Sequence, residues 1–253
     1  MSKATVALQY TSCTYTGLAN TPKVTVALAG KIVPASGYTV NYANNINAGT
    51  ATVTIVGKGD YNGRTVKTFT IGKAAKQIKL AKKSYTKVYG NKAFALGATV
   101  TGNENLTYSL SNKTVIKVTN GKAKIIGCGT VTVTVKSAAS ANYNAAANQK
   151  IKITVKSKKA TISSAKSTKK GQITLKWKKD SKASGYIISY STSKKFKKAK
   201  TAIIKKKSTV KTTLKKLSAG KTYYVRICSY KKVGKKRLSG AYSKVKKVTV
   251  KKR

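Results

Sequence analysis

The chain has no histidine and only three acidic residues, Asp60, Glu104 and Asp180, among 253 positions. Nucleophile triads built on an imidazole base are therefore excluded. General acid–base work needs tunable groups close together, and the three acids lie far apart in sequence. Proline occurs twice, tryptophan once and cysteine three times. Cys13, Cys128 and Cys228 fall one to each third of the chain. Their odd number and wide spacing predict structural thiols, with neither a zinc site nor a disulfide framework. No apolar run reaches the roughly 20 residues of a membrane-spanning helix. The opening MSKATVALQY lacks the apolar core of a signal peptide. No useful length of chain carries an amphipathic helical period. These absences predict a protein without catalysis, cofactor or metal. Ser191-Thr-Ser-Lys194 does spell Ser-x-x-Lys, but a chain this rich in lysine produces that spacing by chance. Gly57-Lys-Gly-Asp-Tyr-Asn-Gly63 precedes a strand rather than a helix, so it reads as a hairpin turn and not a dinucleotide loop.

What the chain has in excess is positive charge. Lys and Arg total 54, giving a formal charge of +51, and only four of them are arginine. A field of this size attracts polyanions at long range. Lysine is a hydrated point charge, whereas arginine reads phosphates and base edges bidentately, so the balance favours diffuse attraction over sequence reading. The charge is graded. Residues 1–75 hold seven basic residues and Asp60, 76–156 hold fourteen and Glu104, and 157–253 hold thirty-three and Asp180. A solvated lysine coat is the competing explanation. It accounts for the lysines but not for the scarcity of Asp and Glu.

Thr, Val, Tyr and Gly dominate the rest, in short alternating runs separated by Gly/Asn turns. KVTVAL, YTVNY, TATVTIVG and TVKTFTI read as strands in residues 1–73, and KAKIIGCGTVTVTV and KIKITV in the middle of the chain. Asn120-Gly121 is a hairpin dipeptide. In ITLKW, Ile173, Leu175 and Trp177 alternate with Thr174 and Lys176, placing three apolar side chains on one face. In TYYVRICSY, Tyr223, Val225, Ile227 and Ser229 face one way and Tyr224, Arg226 and Cys228 the other. The predicted class is all-β, as three tandem immunoglobulin-like or fibronectin type III β-sandwiches over 1–75, 76–156 and 157–253, with short linkers at 74–77 and 156–160.

Residues 157–251 resemble a fibronectin type III domain through Trp177, Tyr186 and Leu217-Ser-Ala-Gly-Lys-Thr-Tyr223. The resemblance implies that Tyr223 bonds to nearby backbone at a corner of the sandwich. The Arg-Gly-Asp of that family's cell-attachment members is absent. The order YTG…PKVTV…SGYTVNYANN…GTATVTIVGKGDYNGRTVKTFTI resembles an immunoglobulin-like repeat of Gram-positive surface proteins. Leu106–Val118 with the Asn-Gly turn and Gly127-Cys-Gly-Thr130 resembles bacterial immunoglobulin-like group 2 domains, which implies that the loop with Asn142-Tyr143 packs across one sandwich end. Some Gram-positive surface sandwiches join Lys to Asn with a carboxylate assisting. The turn-like contexts of Asp60 and Glu104, and the lysine pair just before Asp180, predict exposed acids instead.

Together these features predict a non-catalytic stalk or adhesion module of a bacterial surface or secreted protein, a monomer or part of a longer chain. The expected partners are anionic polymers: cell-wall polymer, anionic glycan or extracellular DNA. The expected patch is Lys194, Lys195, Lys197, Lys198, Lys205, Lys206, Lys207, Lys231, Lys232, Lys235, Lys236 and Arg237. A purely structural spacer is the first alternative. A non-specific nucleic-acid-binding protein is the second, with Tyr186, Tyr190, Tyr223, Tyr224 and Tyr230 as stacking candidates, although sandwich cores and edges need such tyrosines anyway.

Overall fold

The computed structural model describes every residue except Ser2 and Arg253. Regular structure among the described residues consists of strands and two short 3-10 turns, Ala35–Gly37 and Thr101–Asn103. The first seven strands are β1 (Thr5–Leu8), β2 (Ser12–Thr14), β3 (Val24–Leu28), β4 (Lys31–Ile32), β5 (Tyr38–Ala43), β6 (Gly49–Gly57) and β7 (Arg64–Gly72). They form a sheet β1-β3-β4 and a sheet β2-β7-β6-β5. The alternation in β6 decides its facing. Ala51, Val53 and Ile55 are fully buried, and they share a core with Val26, Phe69 and Ile71 while the intervening threonines point outward.

Nine strands follow: β8 (Ile78–Leu80), β9 (Ser84–Val88), β10 (Phe94–Ala95), β11 (Ala98–Val100), β12 (Thr107–Leu110), β13 (Ile116–Thr119), β14 (Lys122–Ile125), β15 (Gly129–Lys136) and β16 (Gln149–Lys156). The main sheet is β12-β15-β16-β9, in which β16 pairs β9 in parallel. A second sheet is β10-β14-β13. Asn120 and Gly121 join β13 to β14 with φ of 48° and 69°, the doubly positive pair that a two-residue hairpin of the right twist demands.

The last eight strands are β17 (Ile162–Lys166), β18 (Ile173–Trp177), β19 (Gly185–Ser191), β20 (Lys200–Ile204), β21 (Lys211–Leu214), β22 (Thr222–Val233), β23 (Lys236–Ser239) and β24 (Lys246–Thr249). One sheet is β17-β18-β21, and the other is β20-β19-β22-β23 with β24 also on β22. The core between them holds Ile173, Leu175, Trp177, Tyr186, Val225 and Ile227. Trp177 packs edge-on to Tyr186 with ring centroids 5.3 Å apart. Among the described residues no sheet joins strands across 75/76 or 156/157, although an isolated parallel bridge pairs Ala74 with Tyr143.

By contact the chain divides into two compact units. One is Met1–Lys79 with Thr99–Thr107 and Lys136–Asn148, and the other is Leu80–Ala98, Tyr108–Val135 and Gln149 onward. The first unit shows why the middle segment is divided. Its loop after β15 is fastened to the strands of residues 1–73. Ala74 N–H donates to Asn142 O, and Asn144 N–H donates to Ala74 O, each at 2.9 Å. The Asn142 carboxamide accepts from Ala48 N–H and donates to Asn47 Oδ1, and the Tyr143 ring meets Tyr15 edge-on at 5.4 Å. The 74–77 stretch, expected as a plain linker, is therefore a clasped segment.

Two of the three acids differ from expectation. Asp60 is exposed. Glu104 is half-buried, 3.4 Å from the Nζ of a buried Lys76, and accepts a hydrogen bond from Ser140 Oγ. Lys76 Nζ also donates to Ala138 O at 2.6 Å. Asp180 is half-buried and accepts from Ser229 Oγ and from Lys182 N–H. Local sequence suggested exposure because the partners that draw Glu104 and Asp180 inward lie far away in the chain.

Candidate anion-binding site

Strand register places the twelve basic residues expected to form one patch. In β19, Tyr186 stands opposite Ser229 of β22 and Ile204 of β20, whereas Tyr190 stands opposite Val225 and Lys200. The start and the end of β19 therefore mark opposite ends of this sandwich. Lys205, Lys206 and Lys207 follow Ile204. Lys231, Lys232, Lys235, Lys236 and Arg237 follow Tyr230 in the β22–β23 hairpin. Both groups stand at the end marked by Gly185 and Tyr230. Lys194, Lys195, Lys197 and Lys198 lie in the β19–β20 turn at the other end. Four strand residues separate the two levels, about 13 Å of rise. The twelve residues thus form two basic ends rather than one patch.

The first end is partly engaged in structure. Tyr186 Oη, fully buried, accepts from Asp180 N–H at 2.8 Å and donates to Lys207 O at 3.2 Å, tying the loop after β18 to the loop after β20. Lys207 Nζ donates to Ser181 O. Arg237 lies over the Tyr230 ring at 5.6 Å. Asp180, the single acid of residues 157–253, stands at this end beside Ser229.

At the second end the turn after β19 is a built structure. Ser191 Oγ donates to Lys197 O at 2.8 Å and accepts from Ser193 N–H, which occupies the hydroxyl of the Ser-x-x-Lys pattern in capping a turn. The Phe196 ring folds back onto Arg226, 3.9 Å from the guanidinium carbon, and Tyr242 covers the other side at 4.2 Å. Across the same end the β21–β22 loop carries Lys215 and Lys216. Ser218 N–H donates to Tyr223 Oη at 3.2 Å, the corner bond implied for Tyr223. Phe196, Lys198 and Lys216 all take left-handed backbone, with φ of 57°, 47° and 56°. Non-glycine residues hold that conformation only where the surroundings impose it.

Between these two loops lies an open cavity of about 370 Å³. Lys197, Lys198, Lys200, Lys215 and Lys216 rim it, and Tyr190 and Tyr223, half-buried against the core, line its inner side. Lys200, Lys215 and Lys216 were not among the sequence candidates. Lys200 is a near neighbour in sequence, but Lys215 and Lys216 are distant, and only the pairing of β19 with β22 brings them beside Lys197 and Lys198.

The three thiols stand apart. Burial pushes the Cys128 and Cys228 thiols above the usual thiol value. Among the described residues no three His, Cys, Asp or Glu side chains cluster to hold a metal ion, and no helix is long and apolar enough to cross a membrane.

No curated protein matches the chain. Among solved structures it is similar to the FN1–FN3 domains of chicken CNTN1 at 13% identity and a TM-score of 0.34, over 82% of this chain and 80% of that one. It is also similar to a run of titin domains at 13% identity and a TM-score of 0.30, over 98% and 94%. Likeness this loose bears on neither arrangement nor function. A family model for the fibronectin type III domain matches residues 158–245. The sheets β17-β18-β21 and β20-β19-β22, the buried Trp177 and the Tyr223 corner all fall on that match. The last sandwich of this all-β chain is a fibronectin type III domain.

Proposed function

We propose that the chain is a non-catalytic extracellular module of a bacterial surface or secreted protein, and that its C-terminal domain binds anionic polymers. One observation carries this reading. Residues 157–253 hold thirty-three basic residues against Asp180, and Asp180 is already taken up by Ser229 and Lys182. Most of this charge is left for a partner to neutralise. Lysine point charges on exposed turns suit polymers of closely spaced anions, such as cell-wall polymer, anionic glycan or extracellular DNA. The resemblance of residues 1–156 to surface repeats supports the bacterial and extracellular setting.

The reading is tested on the whole chain by neutralising each basic end separately. One variant replaces Lys205, Lys206, Lys207, Lys235, Lys236 and Arg237 with Gln, and the other replaces Lys194, Lys195, Lys197 and Lys198. Affinities for heparin, teichoic acid and duplex DNA should fall together in each. Loss of a single ligand with the others untouched would contradict diffuse binding.

A spacer role is the second reading. The fastening of Asn142 and Tyr143 to Ala48, Ala74 and Tyr15 supports it, because a clasped loop stiffens the chain where a flexible linker would not.

A further inference from the structure

The cavity between the β19–β20 and β21–β22 turns differs from the rest of the basic surface. Five lysines rim one space of about 370 Å³, at the small end of ligand pockets. Among the described residues no Asp or Glu lines it, and Asp180 is at the far end of the sandwich. Five exposed lysines share one rim, and the backbone beneath them is held in place. Phe196 is pinned on Arg226, the Lys197 carbonyl is held by Ser191, and Lys198 and Lys216 keep left-handed backbone. A cationic rim on fixed backbone suits an anion.

The inner side narrows the choice of anion. Tyr190 and Tyr223 lie 6.4 Å apart, tilted by 47°, and both are half-buried. Two tilted, partly covered rings offer no flat platform for a nucleobase, which stacks on an open aromatic face. They do offer an amphipathic wall for a saturated ring with polar edges. Lysine rather than arginine on the rim suits tetrahedral oxyanions approached from several directions, more than planar carboxylates held by a fork.

We infer that this cavity is a discrete site for a sugar ring bearing a sulfate or phosphate ester, with Lys197, Lys198, Lys200, Lys215 and Lys216 on the ester and Tyr190 and Tyr223 against the ring. The inference deepens the polyanion reading and rests on it. It assigns the recognised unit of the polymer to one end of the domain.

The experiment is calorimetric titration of the whole chain at physiological ionic strength. The probes are a heparin-derived sulfated disaccharide, glucose 6-phosphate, the unsulfated disaccharide and inorganic phosphate, with long-chain heparin in parallel. At least one sugar ester should bind at least tenfold more tightly than both the bare sugar and inorganic phosphate. The stronger of the two esters identifies the natural group. Lys198→Gln with Lys215→Gln should cost the ester at least tenfold, and Lys205→Gln with Lys206→Gln should leave it unchanged. Tyr190→Phe, which keeps the ring, should retain binding. Inorganic phosphate binding as well as the sugar esters would overturn the assignment, as would equal losses in the two lysine pairs. Heparin binding without any disaccharide binding would also overturn the cavity while leaving the diffuse polyanion reading standing. Absence of both would remove that reading as well.

Discussion

Single side chains carry more of this molecule than its repetitive composition suggests. Tyr186 is fully buried, and its hydroxyl joins the backbone at Asp180 to the backbone at Lys207. Removing the hydroxyl leaves a carbonyl and an amide to find new partners, which costs about 1–3 kcal/mol. Tyr186→Phe should accordingly lower the urea midpoint of the whole chain, with its m-value unchanged. The thiols provide a second test at this scale. The thiolate is the nucleophile. Burial holds Cys128 and Cys228 in the neutral form at pH values where an ordinary thiol begins to ionise, whereas Cys13 is only half-buried. Alkylation near pH 8, read by peptide mass spectrometry, should label Cys13 first and reach the other two only in denaturant. The sign for stability follows from the same shift. Below the ordinary thiol value both states keep the proton and the two thiols cost the fold nothing, whereas above it only the unfolded chain loses the proton. Folding costs a proton there, so their contribution declines with further alkalinity.

At the level of elements, the loops are held by specific devices. Arg226 reaches out of β22 and lies between Phe196 and Tyr242, so one guanidinium fastens both the turn after β19 and the segment between β23 and β24. Cation–π contact in a partly desolvated site contributes about 1–2 kcal/mol, and the aliphatic stem adds packing. Arg226→Ala should therefore destabilise the chain by roughly 2 kcal/mol and loosen the turn carrying Lys197 and Lys198, visible as faster hydrogen exchange of the Phe196 amide. In the β13–β14 hairpin, Gly121→Ala would place a Cβ at φ 69° and 3.1 Å from Tyr108 Oη. A cost of about 1–2 kcal/mol follows from the left-handed backbone alone, measurable by thermal unfolding. This is also the scale at which sequence reading succeeded and failed. Alternation in ITLKW was enough to put Ile173, Leu175 and Trp177 on one apolar face, and all three are buried, because the strand period maps directly onto burial. The Asn120-Gly121 turn was legible because only such a dipeptide accepts two positive φ values. The division of the basic residues between two ends was not legible. It depends on the register between β19, β20 and β22, which no local pattern encodes. The buried pairing of Glu104 with Lys76, and of Asp180 with Ser229, was hidden for the same reason.

For the whole molecule the controlling quantity is charge. A formal +51 opposes compaction, and at low ionic strength the repulsion acts across roughly 30 Å, the length of a small domain. The melting temperature should rise as salt is raised from about 10 to 150 mM, as screening shortens that range. Calorimetry of the whole chain checks the direction. The same screening acts on binding with the opposite consequence. If the lysines serve partners, they should release condensed counterions on binding, and affinity should fall log-linearly with salt. The decisive measurement is the affinity of the whole chain for long-chain heparin between about 50 and 200 mM salt. Engagement of six or more anionic groups predicts a loss of about 1000-fold over that range, with binding still measurable at physiological salt. A shallow slope, or binding that vanishes before physiological salt, would contradict polyanion recognition and leave the lysines as a solvated coat.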